Sequence, residues 1–212
     1  MGAFDNSWIT LASAGISLPY HDAGGKEKPA LLLLHGLNAH SGTWRNNVSF
    51  FAEDSRVLVP SLPPSHERPN NLDITPYVEY LEEFLSELDI HRVTIAGNSM
   101  GGWIAMQIAI DHSDWVEALV LEDSAGISNP GDEILLTKIN ELKIPVLILW
   151  GRNDRILPVN AGKYLHSKIK TSTLIVLDGV GHVPHWENPE LFNRLVADFL
   201  RKQRENKSKS NM

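Results

Sequence analysis

The chain has 212 residues, no cysteine and a formal charge of −7 from 19 basic and 26 acidic side chains. That length suits one domain able to bury a substantial core, and the lack of cysteine excludes disulfides, thiolate nucleophiles and Cys-ligated zinc. An acidic balance argues against a broad surface for nucleic acid.

The opening segment MGAFDNSWIT carries neither the basic region nor the apolar stretch of a secretion signal. Asn6 also breaks the myristoylation pattern. No apolar run approaches the roughly 20 residues that span a bilayer. The expectation is a cytoplasmic protein with no membrane partner and no nucleic-acid partner.

Residues 8–11 and 16–20, separated by the short stretch 12–15, read as an N-terminal hairpin. Five strand-length apolar runs follow, at 31–34, 56–59, 93–96, 116–121 and 146–150, with a sixth at 173–177. They are rich in Val, Ile and Leu and do not alternate with polar residues, which suits parallel strands covered on both faces. Helical patterns lie between them. Residues 75–88 place Tyr77, Tyr80, Leu81, Phe84, Leu85 and Leu88 on one face, with Thr75 as a candidate N-cap and Pro76 suited to the first helical position. Residues 100–111 are apolar almost throughout, as in a helix buried against a sheet. Further helices are expected at 158–166 and 189–202. This alternation predicts an α/β fold with a mostly parallel central sheet, helices on both faces and right-handed crossovers. One domain is expected over 1–204, with a disordered tail at 205–212.

In open α/β sheets, functional groups gather at the carboxyl ends of the strands. His35-Gly36-Leu37-Asn38 follows the first parallel run, Gly97-Asn98-Ser99-Met100-Gly101 the third, Gly151-Arg152-Asn153-Asp154 the fifth and Asp178-Gly179-Val180-Gly181-His182 the sixth. Ser99, Asp154 and His182 therefore share one sheet edge, in the chain order of a Ser–acid–His hydrolase. Each has a plainer reading alone: Ser99 as a turn residue, Asp154 as a helix cap, His182 as a loop histidine. The joint arrangement favours catalysis. Ser99 is the candidate nucleophile, His182 the general base, and Asp154 the group that orients and stabilises the imidazolium. The backbone N–H of Met100, next after the serine at a helix start, is the first candidate oxyanion donor.

The segments LLLLHGLNAHSGTW, VTIAGNSMGGW, LILWGRNDRILP and GVGHVPHWENPELF together resemble the α/β-hydrolase fold enzymes, from Trp8 to about Arg201. GNSMGG and GRNDRILP are similar to carboxylesterases and to the carbon–carbon bond hydrolases of aromatic-ring degradation. The resemblance implies that the second oxyanion donor is the N–H of Leu37 and that His35 is structural, holding the oxyanion loop. It implies no cofactor and no metal; His182 and His185, three apart, have no partner cluster to support a metal site. Asp123, also at a strand's carboxyl end, remains an alternative acid. Trp103 and Met106 read as helix packing.

Many relatives of this type carry a multi-helix lid between the strands that correspond here to 116–121 and 146–150. Residues 124–145, SAGISNPGDEILLTKINELKIP, leave room for one short helix at about 132–142, a vestigial cap. The expectation is a shallow, open site suited to small activated esters. Carbon–carbon hydrolases usually present a lid arginine to a dienoate carboxylate, but this segment offers only Lys138 and Lys143. Arg152 and Arg155 flank Asp154 as surface or loop-anchoring residues. VPSLPPSHERP at 59–69 stands where relatives have a Gly-rich turn. The leading expectation is a serine carboxylesterase acting on a small-molecule ester. A carbon–carbon hydrolase and a non-catalytic binding protein on the same fold are the alternatives.

Overall fold

The computed structural model describes residues 7–65, 72–127 and 132–210. Strands β1 (Ser7–Leu11) and β2 (Ile16–Ala23) form the expected antiparallel hairpin, with Ser7 opposite Tyr20 and Leu11 opposite Ile16. The apolar runs become β3 (Ala30–Leu34), β4 (Arg56–Pro60), β5 (Val93–Asn98), β6 (Val116–Glu122), β7 (Val146–Gly151) and β8 (Ser172–Leu177). They join the hairpin in an eight-stranded sheet of order β1-β2-β4-β3-β5-β6-β7-β8. Pairing is antiparallel from β1 to β2 and from β2 to β4, and parallel from there on.

The helices are α1 (Arg45–Phe51), entered through a 3-10 turn at Ser41–Trp44, α2 (Thr75–Glu87), α3 (Met100–Asp111), α4 (Asp132–Ile139), α5 (Val159–Lys168), α6 (Pro184–Glu187) and α7 (Pro189–Ser210). The run of four leucines in β3 shows why the strands do not alternate. Leu32 and Leu34 pack with Leu81 and Phe84 of α2 and Ile104 of α3, while Leu31 and Leu33 pack with Val48 and Phe51 of α1 and Phe192 and Val196 of α7. Both faces of the sheet are covered, so every position on the strand is apolar.

Several details differ from expectation. Thr75 is the first residue of α2, and its N–H is taken by Asp73 Oδ1 at 2.9 Å. Neither α1 nor α6 carries a long amphipathic pattern, and neither was expected. Beyond residue 204 the chain is helical as far as Ser210, in place of the disordered tail expected from 205. The end of this helix is anchored, since Arg204 Nη2 donates to Ser55 Oγ just before β4 at 2.9 Å and Lys207 pairs with Glu117 of β6 at 2.6 Å. Two local anchors hold a helix whose composition alone favours fraying. Among the described residues, no helix is long and apolar enough to cross a membrane.

Candidate active site

From β3 the chain moves to β4 on one side and later to β5 on the other, so the loops leaving β3 and β5 part at the carboxyl ends of the strands. A crevice at this switch point is where an open α/β sheet holds its ligand. Ser99 stands there, between the last residue of β5 and the first of α3, at φ 53° and ψ −116°. A left-handed φ on a non-glycine residue costs about 1–3 kcal/mol and persists only where its surroundings fix it. Here Ser99 N–H donates to the Glu122 carbonyl at 2.9 Å, and the Ser99 carbonyl accepts from Gly102 N and Ala125 N, both at 3.0 Å. The glycines make the sharp turn possible: a Cβ on Gly97 would strike the Gly101 carbonyl, and one on Gly101 would strike the Leu34 backbone.

Asp154 leaves the end of β7 as a buried carboxylate. Its Oδ1 accepts from Ile156 N at 2.7 Å and Leu157 N at 3.0 Å, and its Oδ2 accepts from His182 Nδ1 at 2.7 Å. Burial, the largest single influence, pushes its pKa up. The hydrogen bonds from His182, Asp123 and the two amides outweigh burial and hold the carboxyl below its ordinary value. An ionised Asp154 favours the His182 tautomer that donates from Nδ1, which leaves Nε2 as the acceptor nitrogen of the neutral ring. His182, with its side chain 15% exposed, and Ser99 line the same cavity of about 400 Å³. Leu37, Leu72, Met100, Trp103, Ile156, Leu157 and Val183 supply most of its apolar wall.

His35 is buried and uses both ring nitrogens on backbone. Nδ1 donates to the Gly36 carbonyl at 2.8 Å and Nε2 accepts from Leu62 N at 2.9 Å. Burial pushes its pKa down to about 4, against the pull of the Gly36 carbonyl. This neutral ring ties the loop that carries Leu37 to the segment after β4. It has no nitrogen free to act as a base.

The alpha/beta hydrolase family profile matches residues 31–142, and a second profile, described as alpha/beta hydrolase fold, matches residues 135–189. The chain belongs to the alpha/beta hydrolase family. It is 24% identical to an uncharacterised protein of Mycobacterium tuberculosis, over 81% of this chain and 75% of that one. It is 25% identical to a 2-hydroxy-6-oxononadienedioate/2-hydroxy-6-oxononatrienedioate hydrolase of Burkholderia vietnamiensis, over 93% of this chain and 96% of the relative. That alignment runs to 277 residues against a chain of 212, so the Burkholderia protein carries inserted sequence that this family member lacks. Among solved structures, a CIB-like hydrolase from Thermoplasma acidophilum shares the fold, with a TM-score of 0.83 at 23% identity, covering 94% of this chain and 99% of the other.

Around this hydrolase-family site lie side chains whose anchoring roles the sequence reading did not assign. Asn98 Nδ2 donates to the His182 carbonyl at 2.9 Å, joining the histidine loop to the residue before Ser99. Glu187 accepts from Gly181 N at 2.7 Å and Val183 N at 3.0 Å, bracketing His182 on both sides. Beneath them Glu122 takes His185 Nδ1 at 2.7 Å and His185 N at 2.6 Å, with both side chains essentially buried. The His185 ring stacks on Trp44 at 3.7 Å. His185 therefore turns away from His182, and the two do not share a ligand position. The only trace of this scaffold in the sequence is the segment GHVPHWENPELF, whose second histidine and first glutamate fill these anchoring roles.

Several readings change. Trp103, expected to serve helix packing, also forms a wall of the cavity, whereas Met106 is fully buried in the core. Asp123 is not the residue bonded to His182: its Oδ1 accepts from Gly151 N at 3.0 Å. Arg152 is engaged with Asp178 at the surface, and neither Arg152 nor Arg155 lines the cavity. The expected short helix of the cap segment is α4, ending at Ile139 rather than near 142. Part of the loop at 59–69, from residue 66 on, lies outside the described residues.

Proposed function

We propose that the protein is a serine hydrolase of small, uncharged carboxylic esters. The observation that carries this reading is the conjunction at one cavity of Ser99 on a strained strand-to-helix turn with His182, whose Nδ1 is held by Asp154. His182 Nε2 takes the Ser99 proton as Oγ attacks the ester carbonyl, and the same proton then passes to the departing alcohol. Water activated by His182 cleaves the acyl-Ser99 ester, releasing the acid and restoring the serine. The N–H groups of Met100 and Leu37 hold the oxyanion, each contributing about 10²–10³ in rate. Both residues line the cavity. Its described lining is apolar apart from Asn98, Ser99 and His182, which suits a neutral acyl group.

The test is Ser99→Ala assayed with p-nitrophenyl acetate and butyrate. Turnover is expected to fall by about four orders of magnitude or more, with loss of labelling by a fluorophosphonate. Undiminished turnover in the variant refutes the mechanism. A second reading, carbon–carbon cleavage of a vinylogous diketone, is favoured by the name of the Burkholderia relative. Bleaching of a coloured 2-hydroxy-6-oxo-dienoate, with ester turnover at background, would establish it instead. Tight ligand binding without turnover or probe labelling would favour a non-catalytic role.

A further inference from the structure

Asp123 is fully buried at the carboxyl end of β6, one strand over from Asp154. Oxygens of the two carboxyl groups and a nitrogen of His182 all lie within 4.8 Å of one another. Asp154 is committed as an acceptor on both oxygens, to two amides and to His182. Asp123 is not: Oδ1 accepts one amide, from Gly151, and Oδ2 is buried with no donor in reach. Two neighbouring carboxylates do not both ionise in a buried site. A buried oxygen without a donor is costly as an acceptor, but becomes satisfied once it carries a proton and donates it.

We propose that Asp123 is a proton-bearing positioning residue, whose neutral carboxyl donates from Oδ2 to the Asp154 carboxylate and so moderates how strongly Asp154 supports a protonated His182. The titratable groups around it are Glu122 on its own strand, Asp154 after β7, His182 after β8, and His185 of α6 bonded to Glu122. Burial, then the hydrogen bond to Asp154 and the charge of Glu122, pushes its pKa up to about 10, so it stays neutral through the working range. Its φ of 42° is one that Asn adopts readily and Ala does not. The consequence is a tuned base: one carboxylate charge beside His182, partly drawn off by a neutral donor, in place of two.

The proposal rests on reading Ser99, Asp154 and His182 as catalytic, and its test separates the two. Asp123→Asn keeps an acceptor for Gly151 and a donor for Asp154. The acid limb of its kcat/KM profile on p-nitrophenyl acetate is expected to hold the wild-type position. Asp123→Ala removes the donor. Its limb is expected to move up by about half to one pH unit, with kcat falling about tenfold and KM changing less than about twofold. A limb that drops in Asp123→Asn overturns the proposal, because it marks the loss of a second negative charge. An unmoved limb in folded Asp123→Ala overturns it as well, leaving a merely structural role. Infrared difference spectra at neutral pH need neither turnover nor the alanine variant. A protonated-carboxyl band present in the wild type and absent from Asp123→Asn is expected, and no such band refutes the proposal. Because that band is read without substrate, failure of the esterase reading leaves it intact.

Discussion

Replacing His35 with Gln removes a buried ring that the fold keeps neutral. Protonating Nε2 would cost the ring its bond from Leu62 N and place an unpaired charge in the interior. The folded pKa, about 4, lies below the ordinary 6.5, so the unfolded chain binds more protons throughout that window. The contribution of this group to stability is complete above about pH 6.5 and is lost as pH falls through about 4. The gap is about 2.5 pH units, which at ~1.36 kcal/mol per unit is about 3 kcal/mol. Urea unfolding of the wild type and His35→Gln at about pH 7 and about pH 4 measures it. The variant should be less stable at the higher pH and lose less than the wild type on acidification. The difference between the two losses should approach about 3 kcal/mol. Equal acid losses in the two proteins would refute the argument, because the imidazole would then titrate alike in the folded and unfolded chain.

Two further outcomes follow from the anchors and walls of the site. Glu122→Ala strips the acceptor from Nδ1 and from the backbone N–H of a buried His185, and leaving such buried donors unsatisfied typically costs about 1–3 kcal/mol each. Chemical denaturation should show that loss, and a variant within about 1 kcal/mol of wild type would mean that the pair is not held as described. Trp103→Ala removes a wall of the roughly 400 Å³ cavity. The ratio of kcat/KM for p-nitrophenyl octanoate over butyrate should rise about tenfold, in line with one or two methylenes gaining burial. An unchanged ratio would place the acyl chain elsewhere.

The parts of this fold that sequence made legible are those written in local patterns. The leucines of β3 are apolar at every position because helices lie on both faces, and that needs no long-range information to recognise. Ser99 was legible because a sharp turn demands glycines close to it in the chain. By contrast, Glu122 and His185 are 63 residues apart, and nothing in either neighbourhood announces that a strand-end carboxylate will receive a histidine of the short helix α6. Asn98 reads as a turn residue until β8 brings the His182 carbonyl to its amide. The end of α7 was illegible for a similar reason: Arg204 and Lys207 find Ser55 and Glu117 only once the sheet exists.

The arrangement also shows where the described walls of the cavity come from. Relatives with inserted sequence can draw the walls of their pockets from that sequence. Here, apart from Ala125 and Gly126 just after β6 and Leu72 shortly before α2, the described apolar walls come from the sheet-end loops and α3: Leu37 after β3, Met100 and Trp103 on α3, Ile156 and Leu157 after Asp154, and Val183 after His182. Each of those loops is also tied to the polar scaffold, Leu37 through His35, Ile156 and Leu157 through Asp154, and Val183 through Glu187. The groups proposed to do chemistry and the walls proposed to hold the acyl chain therefore share their supports. Ile156 is 68% exposed at the rim, an apolar side chain that gains burial only if something apolar covers it. On the esterase reading that cover is the substrate itself, so affinity should rise with acyl length until the chain passes the rim, and then level off.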